Sequence, residues 1–187
     1  MCSVIISVYN KRGIISLAKY LKKKGYEILA TSGTAAHLKT KKIEVLEISN
    51  YIEKKEILSG RVKTIDYKIF AGVLARAKDK KELEKYKIKR IDVVVVNLYP
   101  FKEIAKKRSS LDNLIENIDI GGVALLRAAA KNFEDTIVLP DPKYYDEFIK
   151  RDGQYDFSYR KYLAIETFKL TSEYDEIIYK SLQNRGE

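Results

Sequence analysis

The chain has one cysteine, Cys2, and one histidine, His37, among 187 residues. A lone cysteine excludes a disulfide frame and a thiolate metal cluster, and Cys2 reads as a small core residue of a first strand. A lone histidine excludes a histidine dyad and a histidine-rich metal site. Long apolar runs are also missing. Runs of four such as Val93 to Val96 fall far short of the ~20 residues needed to span a bilayer. Met1 to Val8 runs straight into a strand without the pattern of a signal peptide. These absences predict a soluble, cytoplasmic protein with no membrane partner.

Thirty-six Lys and Arg against 26 Asp and Glu give a net charge of +10. A surplus of that size attracts anions such as nucleic acid, acidic lipid or phosphorylated metabolites. The lysines are spread along amphipathic segments at Lys22 to Lys24, Lys78 to Lys81 and Lys85 to Arg90 and are interspersed with acids along the chain, the pattern of a solvated face. No RNA-binding motif accompanies them, and the 14 tyrosines are scattered rather than set on one sheet face. Nucleic acid is therefore not an expected partner. The 45% hydrophobic content is enough for a proper core, and residues 1–187 are expected to form one domain.

Strand patterns alternate with helix patterns. Strands are predicted at Cys2 to Val8, Tyr26 to Ala30, Ile43 to Ile48, Ile91 to Leu98 and Thr136 to Leu139. The four consecutive valines of the fourth mark a strand buried on both faces. Helices are predicted at Ile14 to Lys24 on apolar periodicity, from Thr34 to Lys39, at Val123 to Lys131, and at Tyr159 to Leu182. Gly25 is a fitting stop for the first of these. The order implies an α/β fold with a mostly parallel, doubly wound sheet, whose ligands bind beyond the carboxyl ends of the strands.

Polar residues collect at those ends. The first strand delivers Asn10 and Lys11, and the second delivers Thr31-Ser32-Gly33-Thr34 at a helix start. Hydroxyls and free N–H groups there suit a phosphate with Lys11 as counter-charge, although an ordinary N-cap uses the same residue types. Asn97-Leu98-Tyr99-Pro100-Phe101 ends the fourth strand, and period two aims Asn97 and Tyr99 into one cleft. Gly60-Arg61-Val62-Lys63-Thr64 sets two cations on one side of an extended segment. Asp119-Ile120-Gly121-Gly122 places an acid before a double-glycine turn, where backbone N–H groups can approach a ligand closely. The helix after it carries Arg127-Ala128-Ala129-Ala130-Lys131-Asn132. Acid, turn and lysine together suit proton transfer on a small polar molecule; a helix start with two solvated charges looks the same.

These segments, in this order, resemble the IMP cyclohydrolase domain, the N-terminal half of the bifunctional enzymes AICAR transformylase/IMP cyclohydrolase. The resemblance covers nearly the whole chain, from Ile6-Ser7-Val8 to Tyr174-Asp175. It implies the methylglyoxal-synthase-like three-layer sandwich. It also implies ring closure of 5-formamidoimidazole-4-carboxamide ribonucleotide (FAICAR) to IMP, with loss of water and with no metal or organic cofactor. On this resemblance Asn10, Lys11, Thr31, Ser32, Gly33 and Thr34 hold or adjoin the 5′-phosphate. Arg61, Lys63, Thr64, Asn97, Asp119, Ile120, Gly121 and Gly122 surround the base with its carboxamide and formyl groups. Lys131, Asp119, Lys63 and Tyr99 carry the proton transfers and the oxyanion, and a cluster of cations is expected to depress a lysine pKa.

The resemblance further implies a homodimer. The transformylase half is missing here, so a separate formylating enzyme is expected upstream. Gln183-Asn184-Arg185-Gly186-Glu187 reads as a natural terminus of a stand-alone protein. Some positions depart from the family pattern. Ile65-Asp66-Tyr67 replaces Leu-His-Pro, Phe70 and Phe133 replace two further histidines, Tyr9-Asn10-Lys11-Arg12 replaces Ser-Asp-Lys-Thr, and Ser32 replaces a glycine. A competing reading is a non-catalytic module of the same fold that binds a phosphorylated effector. Such a module keeps the phosphate turn but has no use for Asp119 with Lys131.

Overall fold

The computed structural model describes residues 2–106 and 110–184. Of the terminal segment Gln183 to Glu187, the last three residues lie outside that description. In chain order the elements are β1 (Ser3–Val8), α1 (Ile14–Lys23), β2 (Glu27–Ala30), α2 (Ser32–Lys39), β3 (Leu46–Glu47), α3 (Ile48–Ile52), α4 (Tyr67–Leu74) and α5 (Lys80–Lys85). They continue with β4 (Ile91–Asn97), α6 (Phe101–Lys106), α7 (Leu111–Glu116), α8 (Gly121–Lys131), β5 (Ile137–Leu139), α9 (Tyr145–Arg151) and α10 (Phe157–Gln183). The five strands form one all-parallel sheet in the order β3-β2-β1-β4-β5. Helices cover both faces, α1 packing with α9 and α8 packing with α4 and α10.

Periodicity explains most of this. In α1 the buried residues Ile14, Leu17, Ala18 and Leu21 recur at the spacing that puts them on one helix face. The helix stops at Gly25, whose φ of 82° lies in the left-handed region. In β4, Val93, Val94, Val95 and Val96 are all at most 1% exposed, because β1 and β5 flank the strand and helices cover it above and below. Burial of such side chains stabilises the fold by roughly 1.5–3 kcal/mol each. Side-chain caps start two helices. Asp66 accepts the Lys68 N–H at 2.8 Å ahead of α4, and Asp156 accepts the Tyr159 N–H at 2.8 Å ahead of α10.

The structure corrects the sequence reading in places. Cys2 is exposed, because β1 begins one residue later, and it is not a core residue. The third strand is the pair Leu46–Glu47 at the sheet edge rather than the run from Ile43 to Ile48. The Ile43 N–H bonds back to the Leu38 carbonyl and closes α2, while Ile48 already starts α3. Residues 57–63 are not extended either. Leu58–Gly60 forms a single 3₁₀ turn, clasped by a bridge between Ile57 and Val62. Among the described residues, no helix is long and apolar enough to cross a membrane.

At the amino edge of the sheet Thr136 is fully buried, and its hydroxyl sits 3.0 Å from the Val73 carbonyl and 3.1 Å from that of Ile91. Asn132, just past α8, donates to the carbonyls of Val73 and Ala75. These bonds tie α4, α8 and β4 together. Thr136→Val keeps the shape but removes the buried donor, so stability should fall by about 1–3 kcal/mol. Urea unfolding should show a lower midpoint with an unchanged slope.

Candidate active site

The strand order reverses at the junction of β1 and β4, and this is where an open α/β sheet leaves a crevice beyond its carboxyl ends. Asn97, 8% exposed, is the last residue of β4. Its Oδ1 accepts the N–H groups of Tyr9 and Asn10, both at 2.8 Å, and its Nδ2 donates to the Asn10 carbonyl at 2.9 Å. Asn97 therefore holds the loop after β1 instead of lining a cleft beside Tyr99. Tyr99 is half-exposed and leans on Tyr9, with ring centroids 5.1 Å apart. Asn10 is exposed on the same loop and steadies it by accepting the Arg12 N–H at 2.9 Å.

Next to that loop lies an anion-seeking surface. Lys11 Nζ donates to Thr34 Oγ1 at 3.0 Å and to the Val8 carbonyl. Thr34 is buried in the first turn of α2, and the Thr31 hydroxyl lies 3.3 Å from it. Thr31 precedes α2 without capping it through its side chain, so the Ser32 and Gly33 N–H groups face outward from the helix start. The Lys11 pKa is lowered, and the cause is burial rather than a cluster of neighbouring cations.

A residue that sequence reasoning missed bridges this surface to the next segment. Glu56 accepts the Ser32 hydroxyl at 2.9 Å and pairs with Lys63 Nζ at 3.0 Å. The Lys63 and Ser32 hydrogen bonds hold its carboxyl below the usual range, in that order of size. Thr31, Ser32, Glu56 and Lys63 line a shallow depression. Gly60, at a φ of +87°, makes room for the pair, since a Cβ there would meet Lys63 Cε at 2.7 Å. In sequence, Lys54-Lys55-Glu56 is an ordinary charge run with no signal of this role. The two cations of the 60–64 segment also part company. Lys63 goes to Glu56, and Arg61 forms a two-pronged exposed pair with Glu116.

The double-glycine turn is tighter than a ligand cradle. Gly122 donates its N–H to Asp119 Oδ1 at 2.7 Å, and a Cβ on Gly122 would meet Asp119 Oδ2 at 2.5 Å. A Cβ on Gly121 would meet Thr64 Oγ1 at 2.6 Å. The close approach expected of a ligand is thus made by the protein's own Asp119 and by buried Thr64. Burial raises the Asp119 pKa, and the Gly122 N–H partly offsets this. The Asp119 N–H donates to the Tyr174 hydroxyl at 2.8 Å, and Tyr174, its own pKa pushed up to about 12 by burial, packs with Phe101 and Leu114. In the sequence Tyr174 marks only the far end of the family resemblance, with no role attached to it.

The structure brings Lys11, Thr31, Ser32, Gly33, Thr34, Lys63, Thr64, Asp119, Gly121 and Gly122 into one continuous chain of contacts. The links run through Glu56 and the Thr64–Gly121 approach. Exposed Ile120 lies between Asp119 and Gly121 at its end. Lys131 is not in this chain. It is the exposed last residue of α8, ten positions beyond Gly121, which puts its backbone about 15 Å along the helix axis.

The family model of the MGS-like domain matches residues 13–124, and that of the AICARFT/IMPCHase bienzyme matches residues 129–187. A relative from Caldicellulosiruptor bescii, the bifunctional purine biosynthesis protein PurH, is 50% identical over 182 residues, 94% of this chain and 36% of the relative. The protein of the same name from Aquifex aeolicus is 50% identical over 179 residues, 93% of this chain and 35% of the relative. The chain thus spans about a third of the length of the curated relatives it matches. The crystal structure of ForH is 33% identical with a TM-score of 0.83, covering 97% of this chain and 98% of that one.

Asp119 makes stability depend on pH. Its pKa in the folded chain lies above the ordinary value of 3.8. Its contribution is fully present below that ordinary value and is lost as pH rises through the folded value. Asp119→Asn keeps an acceptor for Gly122 but cannot titrate. Urea unfolding at about pH 4 and about pH 6 should show a smaller decline with rising pH in the variant than in the parent.

Proposed function

The chain belongs to the MGS-like domain family, and from that premise we propose that residues 1–187 act as one IMP cyclohydrolase unit, closing FAICAR to IMP with release of water. The observation that carries this reading is the contact chain from Lys11 to Asp119. It joins a cation and an open helix start to a half-buried carboxyl whose pKa is raised. The match of residues 129–187 to the AICARFT/IMPCHase bienzyme supports it from the comparison side.

In this proposal the 5′-phosphate binds at the start of α2, against Lys11, Thr31, Ser32, Gly33 and Thr34. A phosphate dianion arriving there competes with the Glu56 carboxylate for Ser32 and Lys63. Displacing Glu56 frees Lys63 to face the substrate. The base with its two side arms then lies over Thr64, Ile120, Gly121 and Gly122. Asn97 positions the Tyr9–Asn10 loop at the rim, and Arg61 is held by Glu116.

The reaction forms one C–N bond, from the carboxamide nitrogen to the formyl carbon. Holding both groups of one molecule at reacting distance supplies most of the acceleration. As the bond forms, the formyl oxygen gains negative charge, which Lys63 or the Tyr99 hydroxyl stabilises. Asp119 accepts the proton from the amide nitrogen, and its raised pKa makes it a stronger base than an ordinary carboxylate. Asp119 passes that proton to the former formyl oxygen. The C–O bond breaks as the formamide nitrogen gives up its own proton and forms the ring C=N double bond, so that the oxygen leaves as water with both protons. The step needs no redox partner, and no metal or organic cofactor is part of the proposal. Lys131 enters only through the family resemblance, since its backbone lies far from Asp119. We further propose a cytoplasmic homodimer that receives FAICAR from a separate formylating enzyme.

Ultraviolet absorbance should record conversion of FAICAR to IMP by the purified chain without additives. Asp119→Asn should lower kcat by about 100-fold or more with little change in KM. Lys11→Met should instead raise KM by about tenfold, reflecting lost phosphate binding. Lys131→Ala should cost less than Asp119→Asn. Calorimetric binding of IMP without any turnover would favour the effector-binding module.

A further inference from the structure

At the mouth of the crevice between β1 and β4 two half-exposed rings lean together. Tyr9 is 54% exposed and Tyr99 46%, with ring centroids 5.1 Å apart and planes inclined by 51°. We propose that Tyr9 is a positioning residue that braces the Tyr99 ring and so aims its hydroxyl at the formyl oxygen. The proposal deepens the cyclohydrolase reading and rests on it for the role of the Tyr99 hydroxyl.

The backbone of Tyr99 is fixed from both sides. It follows the end of β4 by two residues, and Pro100 locks the next φ. The Tyr99 carbonyl accepts the Phe101 N–H at 2.7 Å, where buried Phe101 opens α6. The side chain is not fixed in that way. Among the described residues, Tyr99 joins no hydrophobic cluster and has Tyr9 as its one ring partner. A half-exposed phenol without a neighbour samples more than one χ1 well, and its hydroxyl moves with the ring.

Tyr9 is itself held firmly enough to act as a brace. Its N–H and that of Asn10 both donate to Asn97 Oδ1 at 2.8 Å, and Asn97 Nδ2 donates to the Asn10 carbonyl at 2.9 Å. Asn97 lies two positions before Tyr99, so the circuit closes. The strand that carries Tyr99 fixes the backbone of Tyr9, and the Tyr9 ring fixes the side chain of Tyr99. Tilted aromatic pairs at this spacing are favoured beyond the area they cover by about two- to tenfold. Serine, which the family resemblance places at position 9, has no ring to offer, so the brace comes with the tyrosine.

The ultraviolet assay of FAICAR closure tests this with four variants. Tyr9→Ser should lower kcat about fivefold with KM unchanged, and Tyr9→Phe, which keeps the ring, should restore it. Tyr99→Phe should lower kcat by about tenfold or more. Adding Tyr9→Ser to Tyr99→Phe should cost nothing further, because the brace has lost its object. Tyr9 is exposed, so urea midpoints of the Tyr9 variants should match the parent. A second readout needs no turnover. The three-bond Hα–Hβ couplings of Tyr99, measured by NMR on the full chain, should report one χ1 rotamer in the parent and in Tyr9→Phe, and averaged rotamers in Tyr9→Ser. A parent chain that fails to close FAICAR removes the target of the hydroxyl together with the cyclohydrolase reading, while the couplings still decide the brace. Averaged rotamers in the parent, unchanged couplings in Tyr9→Ser, a raised KM in both Tyr9 variants, or an undiminished loss from Tyr9→Ser beside Tyr99→Phe would each overturn the proposal.

Discussion

Where β1 meets β4 the sheet changes its direction of winding, and two strand ends must part to leave a crevice. One side chain keeps that parting in register. The Asn97 amide uses its oxygen for two N–H groups and its nitrogen for one carbonyl, all within Tyr9 and Asn10. The loop after β1 is therefore fixed to the end of β4 by side-chain bonds in a region where the backbone ladder has ended. Lys11 comes directly after, and its ammonium group returns to Val8 and Thr34. Without the Asn97 clasp, neither the position of Lys11 nor the Tyr9–Tyr99 ring pair would be determined. The phosphate-seeking end of the site depends on a residue that contributes no charge.

Asp119 illustrates the same economy of groups at the other end. Its carboxylate lies too close to Gly122 for a side chain there, and its N–H is held by Tyr174 from α10. Burial disfavours the charge, while a single backbone donor favours it. The net result is a carboxyl that holds a proton more tightly than a solvated aspartate yet is fixed in direction. A solvated aspartate would be a weaker base and would point anywhere. The third hydrophobic cluster, Phe101, Leu114 and Tyr174, thus matters for chemistry because it immobilises the residue that carries the titratable group.

The sheet was legible in the sequence because its signal is local. Four consecutive valines and the periodic face of Ile14, Leu17, Ala18 and Leu21 need no knowledge of distant residues. The third strand failed for a local reason as well, since closure of α2 on Ile43 outweighed β-propensity. In the site, sequence reading grouped Thr31 to Thr34, which adjoin along the chain, and set Lys11 beside them, where it bonds Thr34. The residues it missed make contacts across long separations. Glu56 reaches Ser32, and Tyr174 reaches Asp119. Neither residue type nor spacing announces such partners. The motif around Lys131 was legible as a unit but not in its division. Asn132 is spent on the carbonyls of Val73 and Ala75 at the end of α4, so part of the pattern is architectural.

Glu56 raises the question of what an empty anion site contains. Two donors aimed at one point, the Ser32 hydroxyl and the Lys63 ammonium, would repel or hydrate if nothing lay between them. The chain places a carboxylate there, and the bonds it accepts hold its pKa down, so it stays ionised near neutrality. That arrangement keeps Lys63 near its working position at modest cost, because the Lys63 and Glu56 side chains remain partly solvent-exposed and such pairs are weak. A weak internal anion suits a site that has to exchange it for a stronger one. A buried Glu56–Lys63 pair would resist displacement, and a site lacking Glu56 would leave Lys63 to sample many rotamers. The exposed, bridged geometry lies between these limits. It accounts for how one glutamate can hold the α2 end and the 60–64 segment together without closing the depression between them.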